Sequence, residues 1–296
     1  MDRTAYGHLK KWKERKTRRP LILRGPRQVG KTWLLREFGE KEYARCVYVD
    51  LESSGQISGL FDSNPSVDRI ITELELYAGY KIDPAETLLV FDEIQAIPQA
   101  LACLKLFGKE APQYHVLCGS SGLDAAIRSG APFPAEWVEV LDLHPLSFFE
   151  FLRAVGREEY VEMLRESRYG LTPNYRQDYI RFLKYYCFVG GMPEAVGAFA
   201  ADRDFFAARE AQMRILSVYE QSFSKYAPID ALPRIRALWS SIPRQLDREN
   251  RKFLFGAMKE GARAREFDAA LTWLTDNGRV RDIHRAEVPE SPLAAS

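Results

Sequence analysis

Eight consecutive residues, Gly25-Pro26-Arg27-Gln28-Val29-Gly30-Lys31-Thr32, have the spacing G-x-x-x-x-G-K-T. Glycines at the first and sixth places let the backbone curl so that successive N–H groups point inward, which suits phosphate oxygens. The positive end of a following helix adds to that attraction. A lysine at the seventh place reaches β- and γ-phosphates, and a threonine hydroxyl at the eighth ligates Mg²⁺. The expected chemistry is nucleoside triphosphate binding, with Gly25, Pro26, Arg27, Gln28, Val29, Gly30, Lys31, Thr32 and the adjoining Trp33 as the cradle.

A phosphate cradle alone does not separate a hydrolase from a kinase or a switch, so acidic residues matter next. Thr87-Leu88-Leu89-Val90-Phe91 runs into Asp92-Glu93. An uncharged run of this kind suits a strand buried on both faces of a parallel sheet, with Asp92 at the carboxyl end, where such sheets bind ligands. Asp92 is then the Mg²⁺ partner of Thr32, and Glu93 the group that polarises the attacking water, a pairing that favours hydrolysis over transfer to a bound small molecule. Tyr114-His115-Val116-Leu117-Cys118 leads into Gly119-Ser120-Ser121-Gly122, which puts Ser120 or Ser121 at another strand end as a γ-phosphate sensor. Plain strand-to-helix turns use the same residue types.

The elements that must hold these groups read in the required order. Leu21-Ile22-Leu23 is a short strand ahead of the loop, and Trp33 to Phe38 carries helical spacing up to Gly39. Cys46 to Asp50 is a second strand, Val67 to Ala78 a helix, Val138 to Leu143 a fifth strand and Phe148 to Val155 a helix. Beyond Gly156 the pattern turns helical, clearest over Tyr179 to Val189 and Phe205 to Phe223, and reads as a lid. Phe182, Tyr185, Tyr186 and Phe188 have the spacing of helix core rather than of a base-stacking platform. From Ile229 onward, helices around Arg234 to Ile242 and Arg263 to Asp276 precede Gly278 to Ile283, a pattern expected for helices leading into a β-wing.

Five segments together carry a family resemblance. They are the phosphate loop, Leu89-Val90-Phe91-Asp92-Glu93-Ile94-Gln95, Gly119-Ser120-Ser121, His144-Pro145-Leu146-Ser147-Phe148-Phe149-Glu150-Phe151, and Gly190-Gly191-Met192-Pro193-Glu194. In that order they resemble the prokaryotic AAA+-type (AAA_14-like) P-loop ATPases that carry a DUF4143 region. The resemblance implies an α/β fold of the ASCE type with strand order 5-1-4-3-2, a helical lid and a winged-helix-like C-terminal piece, and it supports Ser120 as the sensor. Two departures qualify it. Where the family has an Ala-Gly-Arg-type segment, this chain reads Phe133-Pro134-Ala135-Glu136-Trp137-Val138, leaving Arg128 as the nearby charge for the γ-phosphate. Members of the family also run on with a nuclease-like fold, so the distal C-terminal part is expected to be missing here.

Composition narrows the class. The 296 residues suffice for two or three domains, and 46% hydrophobic content builds real cores. The expected division is 1–155 for the ATPase core, 156–228 for the lid and 229–296 for the C-terminal region. A net charge of +1 gives no global signature of nucleic-acid binding. No apolar stretch approaches the ~20 residues of a membrane span, and the basic N-terminus lacks a signal-peptide core, so a cytoplasmic location is expected. Cys46, Cys103, Cys118 and Cys187 sit far apart among apolar neighbours, as buried reduced thiols do. No Cys-His or Ser-His-Asp set is present in the pattern. The basic run from Lys10 to Arg19, with Tyr6, Leu9 and Trp12 on one helical face, reads as a helix docked by its tryptophan, with a nucleic-acid patch as the alternative.

The function expected is an Mg²⁺-dependent ATPase in which Lys31 and Thr32 bind, Asp92 holds the metal, Glu93 activates water and hydrolysis is coupled to a conformational change. The alternative is a nucleotide-gated adaptor with slow or no hydrolysis, whose C-terminal arginines, Arg263, Arg265, Arg279, Arg281 and Arg285, meet DNA or a protein partner. A homo-oligomer that supplies an arginine in trans is a further expectation.

Overall fold

The computed structural model describes residues 1–53, 55–61, 65–166, 173–247, 253–257, 263–281 and 283. The chain divides into two compact units, Met1–Val218 and Tyr219–Ser296.

In the first unit, β1 (Leu21–Arg24), β2 (Arg45–Asp50), β3 (Thr87–Asp92), β4 (His115–Ser120) and β5 (Glu139–Asp142) form one sheet in the order β2-β3-β4-β1-β5. Every pairing is parallel, so this is the implied order 5-1-4-3-2. Parallel neighbours require crossovers, and α1 (Thr4–Lys13), α2 (Lys31–Glu42), α3 (Val67–Ala78), α4 (Pro98–Glu110) and α5 (Leu123–Arg128) cover the faces. The strands sort their side chains two by two. Ile22, Val47, Val49, Leu89, Phe91, Val116 and Cys118 face the core containing Ile70 and Leu74 of α3 and Leu101, Leu104 and Phe107 of α4. Leu21, Leu23, Leu88, Val90 and Leu117 face Leu9 and Trp12 of α1 and Leu34, Leu35 and Phe38 of α2. Both faces are apolar because both are covered, which is why Thr87–Asp92 reads as a continuous apolar run and not as an alternating one.

The connections explain the grouping of strand ends. The chain leaves β1 for the edge strand β2, steps inward through β3 to β4 beside β1, then crosses to β5 on the other flank. The carboxyl ends of β1, β3 and β4 therefore lie at one rim, where open α/β sheets bind ligands.

The basic N-terminal segment forms a helix only over Thr4–Lys13, with Leu9 and Trp12 fully buried and the Trp12 indole donating to the Arg19 carbonyl at 2.9 Å. The helix is docked by its tryptophan, while Lys10, Lys11, Arg15, Lys16 and Arg19 stay exposed. His115 is held structurally: its Nδ1 shares a hydrogen bond of 2.6 Å with the Tyr43 hydroxyl.

After β5 come α6 (Phe148–Ala154), α7 (Glu158–Arg165), α8 (Pro173–Val189), α9 (Pro193–Asp202) and α10 (Phe205–Tyr226). Helix α6 starts with a reciprocal capping box between Ser147 and Glu150. Phe151, Leu152, Val161, Phe182, Val189, Val196 and Phe199 share one core, so Phe182 packs as expected. Phe188 and Cys187 lie on the outer side of α8 and are exposed. Cys187 thus corrects the expectation of four buried thiols. Cys46 is partly buried and Cys103 and Cys118 are buried, and all four are free.

The second unit has its own core, in which Phe223 meets the rings of Trp239 and Trp273 at 5.3 and 5.7 Å, beside Ile235 and Leu238 of α11 (Leu232–Leu246) and Phe267, Ala270 and Leu274 of α12 (Ala264–Asp276). The C-terminal region is helical, and no strand occurs there among the described residues. Asp282 and Arg285 of the expected wing lie outside them. No helix among the described residues is long and apolar enough to cross a membrane.

Candidate functional site

The turn between β1 and α2 curls tightly. Gln28 and Gly30 take positive φ, 61° and 94°. At Gly25 a Cβ would lie 2.2 Å from the Leu143 carbonyl oxygen, so the loop's entry has no room for a side chain. The Gly25 N–H donates to the Ser120 carbonyl at 3.1 Å, tying the loop to the end of β4. Val29 is fully buried, while Arg27 reaches Glu52 at 3.4 Å. Lys31 opens α2 and is folded along the loop, its Nζ donating to the Gly25 and Pro26 carbonyls at 2.9 Å each. Pro26 lies within this curl, and Trp33 stands half-exposed on the first turn of α2.

Thr32 and Asp92 meet directly: the hydroxyl donates to Asp92 Oδ2 at 2.6 Å. Asp92 is buried, and the Tyr48 hydroxyl of β2 donates to the same oxygen at 2.8 Å. The Glu93 N–H donates to Oδ1 at 3.0 Å. The Tyr48 phenol is pushed above its ordinary range, first by burial and then by the Asp92 charge, so it stays a donor. The Arg36 guanidinium stacks over the Tyr48 ring at 4.0 Å. Gly119 leaves the space Asp92 uses, since a Cβ there would lie 2.1 Å from Asp92 Oδ1.

Glu93 has a left-handed backbone, φ 51° and ψ 45°, uncommon for a residue with a Cβ. Its Oε2 accepts from the Ser121 hydroxyl at 2.6 Å, the Ser121 N–H at 3.2 Å and the Gln95 amide at 2.5 Å. The fully buried Ser120 donates to Gln95 Oε1 at 2.6 Å. The structure thus brings Lys31, Thr32, Asp92, Glu93 and Ser120 to one rim of the sheet. Arg128 closes α5.

Tyr48, Gln95 and Arg3 were not foreseen as site residues, and Ser121, the alternative to Ser120 as sensor, bonds Glu93 instead. Arg3 is buried beneath the loop: it donates to the Val29 carbonyl at 2.9 Å and to the His144 carbonyl, and pairs with Glu150 at 3.3 Å. Beside Gly30 lies a cavity of about 220 Å³ lined by Met1, Arg3, Gly30, Trp33, Leu146 and Pro193.

The donor set suits Mg²⁺. Thr32 and Asp92 offer hard oxygens at one point, and no group of three or more His, Cys, Asp or Glu side chains arranged to hold a metal occurs among the described residues. Mg²⁺ is commonly held by one or two protein oxygens together with substrate phosphates.

Residues 17–152 match the family model of an AAA domain. That stretch contains the loop, Asp92, Glu93 and Ser120. Residues 180–292 match a domain of unknown function, DUF8612, in the region where the resemblance implied DUF4143. Among solved structures, the Walker-type ATPase PABY2304 of Pyrococcus abyssi is similar over 93% of this chain and 89% of that one, with a TM-score of 0.55 and 16% identity, a likeness of fold. PCH-2 of C. elegans aligns over 67% of this chain and 61% of its own, with 18% identity and a TM-score of 0.33, too low to carry an argument. No curated protein matches the chain significantly.

Proposed function

We propose that this protein binds ATP with Mg²⁺ and hydrolyses it to ADP and phosphate. The observation that carries the proposal is the Thr32–Asp92 contact at 2.6 Å, made at the loop's mouth with Glu93 and Ser120 on adjoining strand ends. The loop's N–H groups and the start of α2 bind the phosphates, and Lys31 exchanges its two loop carbonyls for phosphate oxygens. Thr32 and Asp92 hold the metal. When bound, Mg²⁺ offsets charge on the β- and γ-phosphates. Water attacks the γ-phosphorus as the bond to the bridging oxygen breaks; its proton passes to Glu93, and ADP leaves with the bond's electron pair.

The cavity beside Gly30 is where we place the base, with Trp33 as the ring it stacks on and Leu146 and Pro193 as the opposite walls. Its walls come from both the core, 1–155, and the lid, 156–228, so occupancy favours one arrangement of the two. That is the physical basis for coupling hydrolysis to movement, with 229–296 as the part that meets a protein or DNA partner.

Phosphate release from Mg-ATP, together with calorimetric titration, tests this reading. Lys31→Ala is expected to abolish ATP binding. Glu93→Gln keeps ATP affinity while turnover falls about 10²- to 10⁴-fold, the usual contribution of a positioned base. Unchanged affinity in the first variant or undiminished release by the second overturns the reading.

A further inference from the structure

Glu93 is oriented by a chain of hydrogen bonds whose direction is fixed by chemistry. A carboxylate only accepts, so the nitrogen end of the Gln95 amide faces Glu93 Oε2 at 2.5 Å. The oxygen end is then left as an acceptor, and the Ser120 hydroxyl donates to it at 2.6 Å. Ser120 is fully buried at the end of β4, so it fixes the rotation of an amide that is itself only partly buried. Ser121 adds its hydroxyl and N–H to the same carboxylate oxygen. All the side-chain hydrogen bonds of Glu93 among the described residues fall on Oε2, while Oε1 accepts none. One oxygen is anchored and the other is left to take a proton. A catalytic base oriented by a hydrogen bond to its far side is a recurring arrangement in activated sites.

We infer that Gln95 is a positioning residue for Glu93, and that Ser120 acts on turnover through Gln95. This rests on the reading of Glu93 as the group that activates water. Gln95 touches neither the loop nor Asp92 through any hydrogen bond among the described residues, so its loss separates turnover from binding.

The test is steady-state and single-turnover phosphate release from Mg-ATP by wild type, Gln95→Ala, Gln95→Glu, Ser120→Ala and the Ser120→Ala/Gln95→Ala double variant, with ATP affinity by calorimetry and urea midpoints as a folding check. Gln95→Ala is expected to lower kcat about 10- to 100-fold, the scale of one lost preorganising hydrogen bond, with KM and ATP affinity within about twofold. Gln95→Glu keeps the acceptor for Ser120 and loses the donor to Glu93, so it falls at least as far. The double variant stays within about threefold of the weaker single one, because both residues act along one chain. Retention of kcat within twofold in Gln95→Ala, a matching loss of ATP affinity, or multiplicative losses in the double variant overturns the inference. If Glu93→Gln is inactive while Gln95→Ala is fully active, the inference falls and the ATPase reading stands. An active Glu93→Gln, or a wild type that binds ATP without turnover, removes the reading and the inference with it.

Discussion

Replacing Arg3 with methionine keeps most of the side chain's volume and removes its charge. Arg3 is 7% exposed and Glu150 6% exposed, so the carboxylate would lose its partner away from water. Breaking a buried pair in this way costs about 3–5 kcal/mol. Glu150 would keep two backbone donors, Thr4 N–H at 2.7 Å and Ser147 N–H at 2.8 Å, which puts the carboxylate's share at the low end. The Val29 and His144 carbonyls also lose a donor, at ~1 kcal/mol each. A total of about 5 kcal/mol lowers Tm by roughly 10–20 °C for a unit of this size. The pH dependence has a defined sign. Burial raises the Glu150 pKa, but the Ser147 and Thr4 N–H groups and Arg3 outweigh it, so the carboxyl is held below its usual range. Its contribution is present above about pH 4.3 and is lost as pH falls through the lower folded value. Arg3→Met should therefore lose part of this acid-side slope. The assay is urea unfolding followed by circular dichroism from pH 3 to 7, on Arg3→Met and on Arg3→Met/Glu150→Gln, which leaves no unpaired charge. A cost below about 1 kcal/mol, or a double variant no more stable than the single one, refutes the reasoning.

In Gly119→Ala the new methyl would lie 2.1 Å from Asp92 Oδ1 and 2.9 Å from Leu35 Cδ1; we expect about 1–3 kcal/mol of destabilisation and weaker Mg-ATP binding, and unchanged affinity by titration counts against it. His115 is lowered from 6.5 to about 4, first by burial and then by the Arg18 and Lys13 charges. It stays neutral when folded and takes up its proton on unfolding, so stability declines as pH falls from about 6.5 towards 4; His115→Gln should flatten urea midpoints across that window, and an unaltered slope contradicts this. Trp33→Ala removes the proposed stacking surface. It should weaken ATP by about 1–3 kcal/mol while leaving inorganic triphosphate affinity unchanged, and equal losses for both ligands refute the base pocket.

The phosphate loop is legible in sequence because its chemistry demands particular residue types at consecutive positions, and Asp92 and Ser120 because each ends an apolar run. Tyr48 is not, because its bond to Asp92 exists only once β2 pairs with β3 in the register that sets Tyr48 opposite Val90. Arg3 bonds Glu150 across 147 positions, with only a buried cap in between to signal it. Gln95 is near Glu93 in sequence, but the left-handed backbone at Glu93 decides that the two side chains meet. Helices α4 and α9 had a usable signal: Pro98 and Pro193 stand in their first turns, where a missing N–H costs nothing. Sheet order followed from the family resemblance, since periodicity says which residues are strands and not which strands are neighbours.

Two of the segments that carry the resemblance meet each other through their backbones. The Leu146 N–H donates to the Gly191 carbonyl at 2.6 Å, and the Tyr186 hydroxyl donates to the Leu146 carbonyl at 2.7 Å. A Cβ on Gly191 would lie 2.3 Å from the Leu146 oxygen and 2.9 Å from its nitrogen, so the two backbones approach only because residue 191 has no side chain. That approach sets the position of Pro193, which opens α9 and whose Cγ lies 3.6 Å from where a Cβ on Gly30 would be. The close approach is therefore set at Gly191, whereas at Gly30 a Cβ would meet Pro193 only at an ordinary van der Waals distance. Leu146 and Pro193, walls of that cavity, are placed by backbone fit and not by any bond to the loop, so the gap they leave beside Trp33 is a property of the interlocked segments themselves.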